Sequence, residues 1–350
     1  QSKSIIDAKP PDPHSRHMFL FGISDHAGGF DPLILLLMAL VIETYAGQLQ
    51  FVSRLTGHPL SAIESLIDWF DRKLNRESRS QMDRAVRGSI AAVIIIAISA
   101  ALGWAIAWLS QTLPFAWIFE TIFLVMLITQ RGVYTAVRKV GVALRDQGLE
   151  TARQKLAPLT NQAAEKMDSH NIARLAIESS ANSLTTRVVA PVFWYVLFGF
   201  PGLLVYQSLN VMNERLGHKT DHYRAFGFTA ARLNDIVLLL PAQFSGLFIV
   251  LAALFVPTAH PGRALKTMMR DAGKYRSYNL GVALAAVAGA FDLALAGPRK
   301  FSQETKNEPW LGTGSAQATH QDIRRTLYLF AVACLINGVW VAALTTIRYM

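Results

Sequence analysis

Charged residues are scarce in this 350-residue chain. They make up 17% of it, where soluble domains carry nearer a quarter, while hydrophobic residues reach 52% and mean hydropathy is +0.28. That deficit excludes an ordinary soluble globule and points to lipid as the solvent. Cysteine is scarcer still. Cys334 stands alone, so no internal disulfide can form, and within an apolar run it acts as a small hydrophobe. The signatures of soluble catalysts are missing too: no Gly-rich phosphate loop, no Gly-x-Ser-x-Gly elbow and no HExxH pair. The nine histidines lack ligand spacing, so spacing supplies no metal site; His58 and His218 read as loop residues. No cleavable signal peptide is visible in residues 1–31, a polar segment in which residues 15–18 resemble a cloning junction. Acids are the poorer sign of charge, 24 against 34 Lys and Arg, for a net +10. The basic residues are spread over every loop rather than one stripe, which argues against nucleic acid and suits anionic lipid headgroups.

What the chain does have is seven apolar stretches, against a need for roughly 17–25 residues per spanning helix. They cover residues 32–46, 89–109, 114–130, 191–209, 236–256, 280–296 and 327–347. The second and third are joined by a short uncharged turn and form a helical hairpin. The fourth is interrupted by Pro201-Gly202, the fifth has Pro241 near its start, and Asp292 sits inside the sixth. The expected fold is an all-α polytopic membrane protein with about five to seven transmembrane or re-entrant helices, plus amphipathic and soluble helices in the loops. Residues 32–350 form one domain.

Two connecting segments hold structure of their own. In residues 47–88, Ile63, Leu66, Ile67, Phe70 and Leu74 recur at helical spacing, which predicts an amphipathic helix on the bilayer surface. Residues 131–188 read as an insert of two or three soluble helices broken at Pro158. Residues 47–88 carry seven Lys/Arg against five Asp/Glu, and residues 131–187 carry nine against five. The intervening hairpin puts both on one side, and the positive-inside rule makes that side cytoplasmic. Trp104, Trp108 and Trp117 on the hairpin are interfacial anchors or a lateral face for a partner.

Polar residues concentrate between Arg174 and Asp235. Arg174 and Glu178 are four apart and share a helix face. Asn182, Ser183, Thr185, Thr186 and Arg187 precede the fourth apolar stretch; Asn210, Asn213, Glu214, His218 and Lys219 follow it, then Arg232, Asn234 and Asp235. Polar side chains where chain meets membrane must be satisfied or face water, so this region is either a site or a solvated loop with helix caps.

The residues that carry a resemblance run through most of the chain: Asn171-Ile172-Ala173-Arg174-Leu175-Ala176-Ile177-Glu178, Val188-Val189-Ala190-Pro191-Val192-Phe193-Trp194, Gly199-Phe200-Pro201-Gly202, Tyr206, Asn210, Gly217-His218-Lys219, Phe226-Gly227 and Ala231-Arg232-Leu233. Upstream stand Gly57-His58-Pro59 and Asp71-Arg72; downstream stand Arg270-Asp271-Ala272, Ser277, Asn279, Gly281, Gly297-Pro298-Arg299 and Trp310-Leu311-Gly312. Together they resemble the CobD/CbiB family, the adenosylcobinamide-phosphate synthases of cobalamin biosynthesis, from about Leu33 onward. The resemblance implies a multi-pass enzyme of the bacterial inner membrane. Such an enzyme joins an aminopropanol, usually as its phosphate, to a carboxylate of adenosylcobyric acid with ATP and magnesium. Acids would hold the metal and basic groups would neutralise phosphate.

Those acids are what this member lacks. The family's Gly-Asp-Pro is here Gly47-Gln48-Leu49, and its Gly-Arg-Asp-Thr is Asn161-Gln162-Ala163-Ala164. Its Glu-Asn-x-x-Asp-Gly is Asn182-Ser183-Leu184-Thr185-Thr186-Arg187, and its Asn-Thr-x-Asp is Asn210-Val211-Met212-Asn213. The first Asp of Arg-x-Asp-Asp is Asn234, leaving Asp235; basic positions are Gln207 and Gln243; Ser-Pro-Asn-x-Gly-Trp survives as Ser277-Tyr278-Asn279-Leu280-Gly281-Val282. Because the losses fall on acids while the Pro, Gly and aromatic framework stays, the expectation is a catalytically degenerate scaffold. It would bind a partner membrane protein, a second copy, a lipid or a corrinoid, with no cofactor. The alternative is an active synthase relying on Glu178, Asp235, Glu214, Asp271, Arg174, Lys219 and Arg232 with magnesium and ATP, and holding substrate through Asn210, His218, Ser277 and Asn279. The competing local readings are that Glu178 pairs with Arg174 and that Asp235 caps a helix or pairs with Arg232. A transporter is a third reading, suggested by the broken stretch at Pro201-Gly202.

Overall fold

The computed structural model describes residues 30–47, 59–160, 167–218, 220–300, 305–306 and 308–350. Among them the architecture is helical, with five helical runs long and apolar enough to cross a membrane: Gln81–Thr112, Trp117–Gln147, Ser169–Leu216, Phe228–Ala252 and His320–Tyr349. Two apolar helices are shorter, α1 (Pro32–Ala46) and α11 (Tyr278–Phe291). The polar segment 1–31 lies outside the described residues up to position 29, as do Gly57 and His58, residues 161–164 and Lys219.

The expected amphipathic helix is α2 (Ser61–Leu74), but its apolar face turns inward. Ile63, Ile67 and Phe70 are buried in the cluster that also holds parts of α1, α3 (Gln81–Thr112) and α8 (Ala190–Leu216), so protein rather than lipid covers that face. Arg215 pins it from outside, with Nη2 2.8 Å from Glu64 and Nη1 2.5 Å from Asp68. Helix α3 (Gln81–Thr112) starts well before its apolar stretch because Ser80 Oγ accepts the Asp83 N–H at 3.1 Å, a serine N-cap with an acid in the first turn. A turn through Phe115, at φ 66°, leads to α4 (Trp117–Leu127). That completes the expected hairpin. Trp104 and Trp108 are exposed on it, while Trp117 packs against Phe30, ring centroids 4.6 Å apart and planes tilted by 52°.

The segment expected as a soluble insert is part of the core. Helix α5 (Gln130–Val142) begins where both carboxylate oxygens of Glu43 accept the Arg131 N–H, at 2.9 and 3.0 Å; a carboxylate there satisfies an orphan donor at a helix N-terminus. Helix α6 (Leu149–Leu156) and a short turn at Pro158 follow, then α7 (Ser169–Ser183), whose inner face is buried against α5 and α12 (His320–Tyr349). Helix α8 (Ala190–Leu216) is two helices joined at Gly199 (φ 64°, ψ −154°), a backbone geometry that only glycine adopts cheaply. The chain folds back there: a Cβ on Gly202 would sit 2.6 Å from the Trp194 carbonyl. So the break expected at Pro201-Gly202 is real, and Gly199 makes it.

Helix α9 (Phe228–Ala252) carries Pro241, and α10 (Pro261–Asp271) packs on α11. Helix α11 is buried on every face and ends at Phe291, with Asp292 in the left-handed region (φ 54°) and 3.2 Å from Arg263. The doubtful sixth stretch is therefore an interior helix. Two minimal hairpins follow, β1 (Leu295–Ala296) with β4 (Trp310–Leu311) and β2 (Arg299–Lys300) with β3 (Thr305–Lys306). Helix α12 (His320–Tyr349) starts with a Thr319/Asp322 capping box. It ends where Arg348 Nε reaches Asp31 Oδ2 at 3.1 Å, joining it to the start of α1.

Candidate functional site

Between α7 and α8 the chain winds as a π-helix over Leu184–Val189. Such single-turn widenings put an extra residue into a helix and recur at functional sites. Here the widening is gripped from two sides. Tyr206 O–H donates to the Thr186 carbonyl at 2.7 Å, and Thr185 Oγ1 donates to Ser245 Oγ at 2.8 Å. Trp194 Nε1 donates to the Val237 carbonyl at 3.0 Å, and Ala190, Tyr206 and Leu238 pack together. The returning half of α8 and the start of α9 thus meet the π-turn at one level.

One helical turn along each element from that contact stands an asparagine: Asn182 before Thr186, Asn210 after Tyr206 and Asn234 before Leu238. Asn210 Nδ2 donates to Glu214 Oε1 at 3.1 Å, and Arg187 Nη2 lies 3.9 Å from the same oxygen. Asn234 is 3% exposed, and its Oδ1 has no hydrogen-bond partner; the buried Oδ1 of Asn182 has none either. An unpaired buried oxygen costs about 1–3 kcal/mol.

The remaining expected residues divide. Arg232 Nη1 is 3.8 Å from Asp235 Oδ2, both largely exposed, which matches the pairing expected at that position. Asn279, buried, donates from Nδ2 to the Asp235 carbonyl at 2.7 Å, so it ties α11 to the site's edge. Ser277 precedes α11 without a side-chain cap bond, and His218 is exposed beside the Tyr223 ring. Three others lie elsewhere. Glu178 Oε1 accepts the Ala296 N–H at 2.8 Å, the Arg174 guanidinium lies 4.8 Å over the Trp310 ring, and Asp271 accepts the Gly312 N–H at 2.9 Å. They hold the β1–β4 loop. Asp271 is 1% exposed and pairs with Arg270 and Lys274, each at 2.7 Å. The Arg270 guanidinium above all holds its carboxyl well below the usual carboxylate range.

Magnesium wants oxygen ligands of which one or two are carboxylates. Among the described residues no three His, Cys, Asp or Glu side chains converge as a cation site. Around the asparagines the charges cancel in pairs, Arg187 with Glu214 and Arg232 with Asp235. This donor set does not fit a protein-held divalent cation. It fits hydrogen-bonding to a ligand with N–H or O–H donors, with Arg187 and Arg232 available to an anionic group.

Comparison with known proteins decides the family. The family described as CobD/Cbib protein matches residues 36–330. The chain belongs to the CobD/CbiB family. Among curated relatives, the Cobalamin biosynthesis protein CobD of a Sinorhizobium species is 36% identical over 318 residues, covering 90% of this chain and 98% of the relative. Its namesake in Brucella melitensis is 34% identical, covering 89% and 96%, and that of Rhodobacter capsulatus is 32% identical, covering 85% and 92%. No solved structure matches. Sequence reasoning singled out the polar run from Arg174 to Asp235 but not the bonds that hold it together. The π-turn, the Tyr206–Thr186 bond and the unpartnered amides have no sequence signal beyond the polar run itself. The anchoring of the loop by Glu178 and Asp271 had none at all.

Proposed function

We propose that this chain acts in cobalamin biosynthesis at the step its family performs, joining an aminopropanol or its phosphate to a corrinoid carboxylate as a multi-pass protein of the bacterial inner membrane. One observation carries the reading: 36% identity across 98% of a relative named for cobalamin biosynthesis. The geometry supports it with a polar site walled by α7, α8 and α9, open at Arg187 and Arg232, which are exposed. The chain's own residues bind and orient: guanidinium groups take the anionic end of a substrate, and the buried amides take hydrogen-bond donors.

A second reading is a catalytically degenerate accessory subunit that binds a partner membrane protein, a second copy or a ligand. It is favoured by the amides and Thr186 that stand at the family's acidic positions, together with the charge balance around them. Expression in a strain lacking its own synthase, fed cobyric acid and aminopropanol, separates the two. Cobalamin-dependent growth supports the synthase; a well-inserted protein that restores none supports the accessory subunit.

A further inference from the structure

The corner between α2 and α3 gathers positive charge that its own side chains do not neutralise. Arg84 Nε donates to Asn75 Oδ1 at 2.7 Å, and Asn75 Nδ2 donates to Asp71 Oδ1 at 2.8 Å, so the first turn of α3 is tied to the end of α2. Arg79 Nη1 donates to the Leu74 carbonyl at 2.7 Å, at the negative end of the α2 dipole. Arg72, Lys73 and Arg76 are exposed on the same corner, and Arg87 follows half-buried on α3. Among the described residues none of Arg72, Lys73, Arg76, Arg79 and Arg87 forms an ion pair; Lys73 lies 4.7 Å over the Trp69 ring. Desolvation first, then the charges of Arg87 and Arg76, hold the Arg79 guanidinium below its usual pKa, with Asp83 opposing them. The three guanidinium groups are therefore near enough to repel, and an anion among them relieves that repulsion.

Just along the chain the surface turns apolar. Met82, Val86, Ile90 and Val93 recur at steps of four, four and three, which is one face of α3, and each is more than half exposed. Arg87 stands two residues before the apolar stretch that begins at Ser89, and it shares a face with Ile90 and Ile94. A cation at that place reaches the level where phospholipid headgroups meet their chains.

We propose that this corner binds an anionic phospholipid of the adjoining leaflet, with its phosphate among Arg76, Arg79 and Arg87 and an acyl chain along Val86, Ile90 and Val93. The proposal is independent of the reaction proposed above. Guanidinium forks match phosphate oxygens in geometry as well as charge. A zwitterionic headgroup brings its own cation into the cluster, and a soluble phosphate gains nothing from the apolar face, so the pairing of charge with exposed apolar surface selects an anionic lipid.

The full-length chain with Cys334→Ala and Ser78→Cys, labelled with a fluorophore at position 78 and held in phosphatidylcholine nanodiscs, tests this. Nitroxide-bearing phosphatidylglycerol is expected to quench the label at about a tenfold lower mole fraction than nitroxide-bearing phosphatidylcholine, because each arginine near the surface contributes about fivefold. Arg76→Gln with Arg87→Gln should bring the two curves within about twofold. Asp83→Asn leaves every guanidinium in place and should widen the gap, which keeps the test open if the double variant fails to insert. Equal quenching by both lipids in the parent protein, a preference retained by the folded double variant, or a gap unchanged by Asp83→Asn overturns the proposal. A preference that survives inorganic phosphate at constant ionic strength supports a lipid site; one abolished by it assigns the cluster to a soluble phosphate and overturns the proposal.

Discussion

Asp271 is nearly inaccessible, yet it is held by two cations beside it in sequence and by the Gly312 N–H, and that last bond joins α10 to the β1–β4 loop. Replacing it by Asn removes the charge and leaves Arg270 and Lys274 half exposed, so the expected loss is about 2 kcal/mol, read as a lower Tm at pH 7. The pH dependence has a definite sign. A carboxyl whose folded pKa is depressed stabilises at pH values above its unfolded value, near 4, and loses that contribution as pH falls through the folded value. The Tm gap between wild type and Asp271→Asn should therefore be full at pH 7 and narrow only in strong acid; a gap that grows on acidification would contradict the assigned pairing. Glu178 makes a similar tie. Glu178→Ala strands the buried Ala296 N–H and should cost about 1–3 kcal/mol, whereas Glu178→Gln keeps an acceptor and should cost less. Equal losses would count against an anchoring role. Neither role was legible beforehand, because Glu178 and its partner Ala296 are separated by 118 residues and no periodicity links them.

Among the helices, Gly199 bears the sharpest demand. Any side chain at its φ of 64° and ψ of −154° is strained by about 1–3 kcal/mol, and the reversal places Trp194 against Gly202. Gly199→Ala should thus lower the amount of folded protein recovered in detergent, and Gly202→Ala should do so as well; native-like yields of both would contradict the folded-back α8. By contrast Arg215→Ala should cost under about 1 kcal/mol, since its pairs with Glu64 and Asp68 are partly exposed. The hairpin of α3 and α4 and the amphipathic α2 were readable from apolar spacing alone. Helix α11 was not: an interior helix and a membrane span are both apolar on every face, and only length and the Asp292 cap separate them. The polar run before α8 was readable as polar, but a π-turn with two orphaned amides leaves no trace in composition.

At the scale of the whole molecule, the positive-inside rule predicts a cytoplasmic side for the segments that flank the hairpin, so in a Cys334→Ala background thiols placed at Arg76 and Gln147 should react only with reagent applied from the cytoplasm. One at Leu113, in the hairpin turn, should react from outside; any other pattern breaks the topology. Length and apolar composition make the chain a multi-pass membrane protein, and membership of the CobD/CbiB family rests on a match to residues 36–330. Its work in cobalamin biosynthesis is the central proposal. The most direct test is growth of a synthase-deficient strain on cobyric acid and aminopropanol, with insertion of the chain verified by the thiol pattern just described. The account predicts cobalamin-dependent growth with the wild type and markedly slower growth with Asn234→Leu. No growth from a correctly inserted wild type would contradict it.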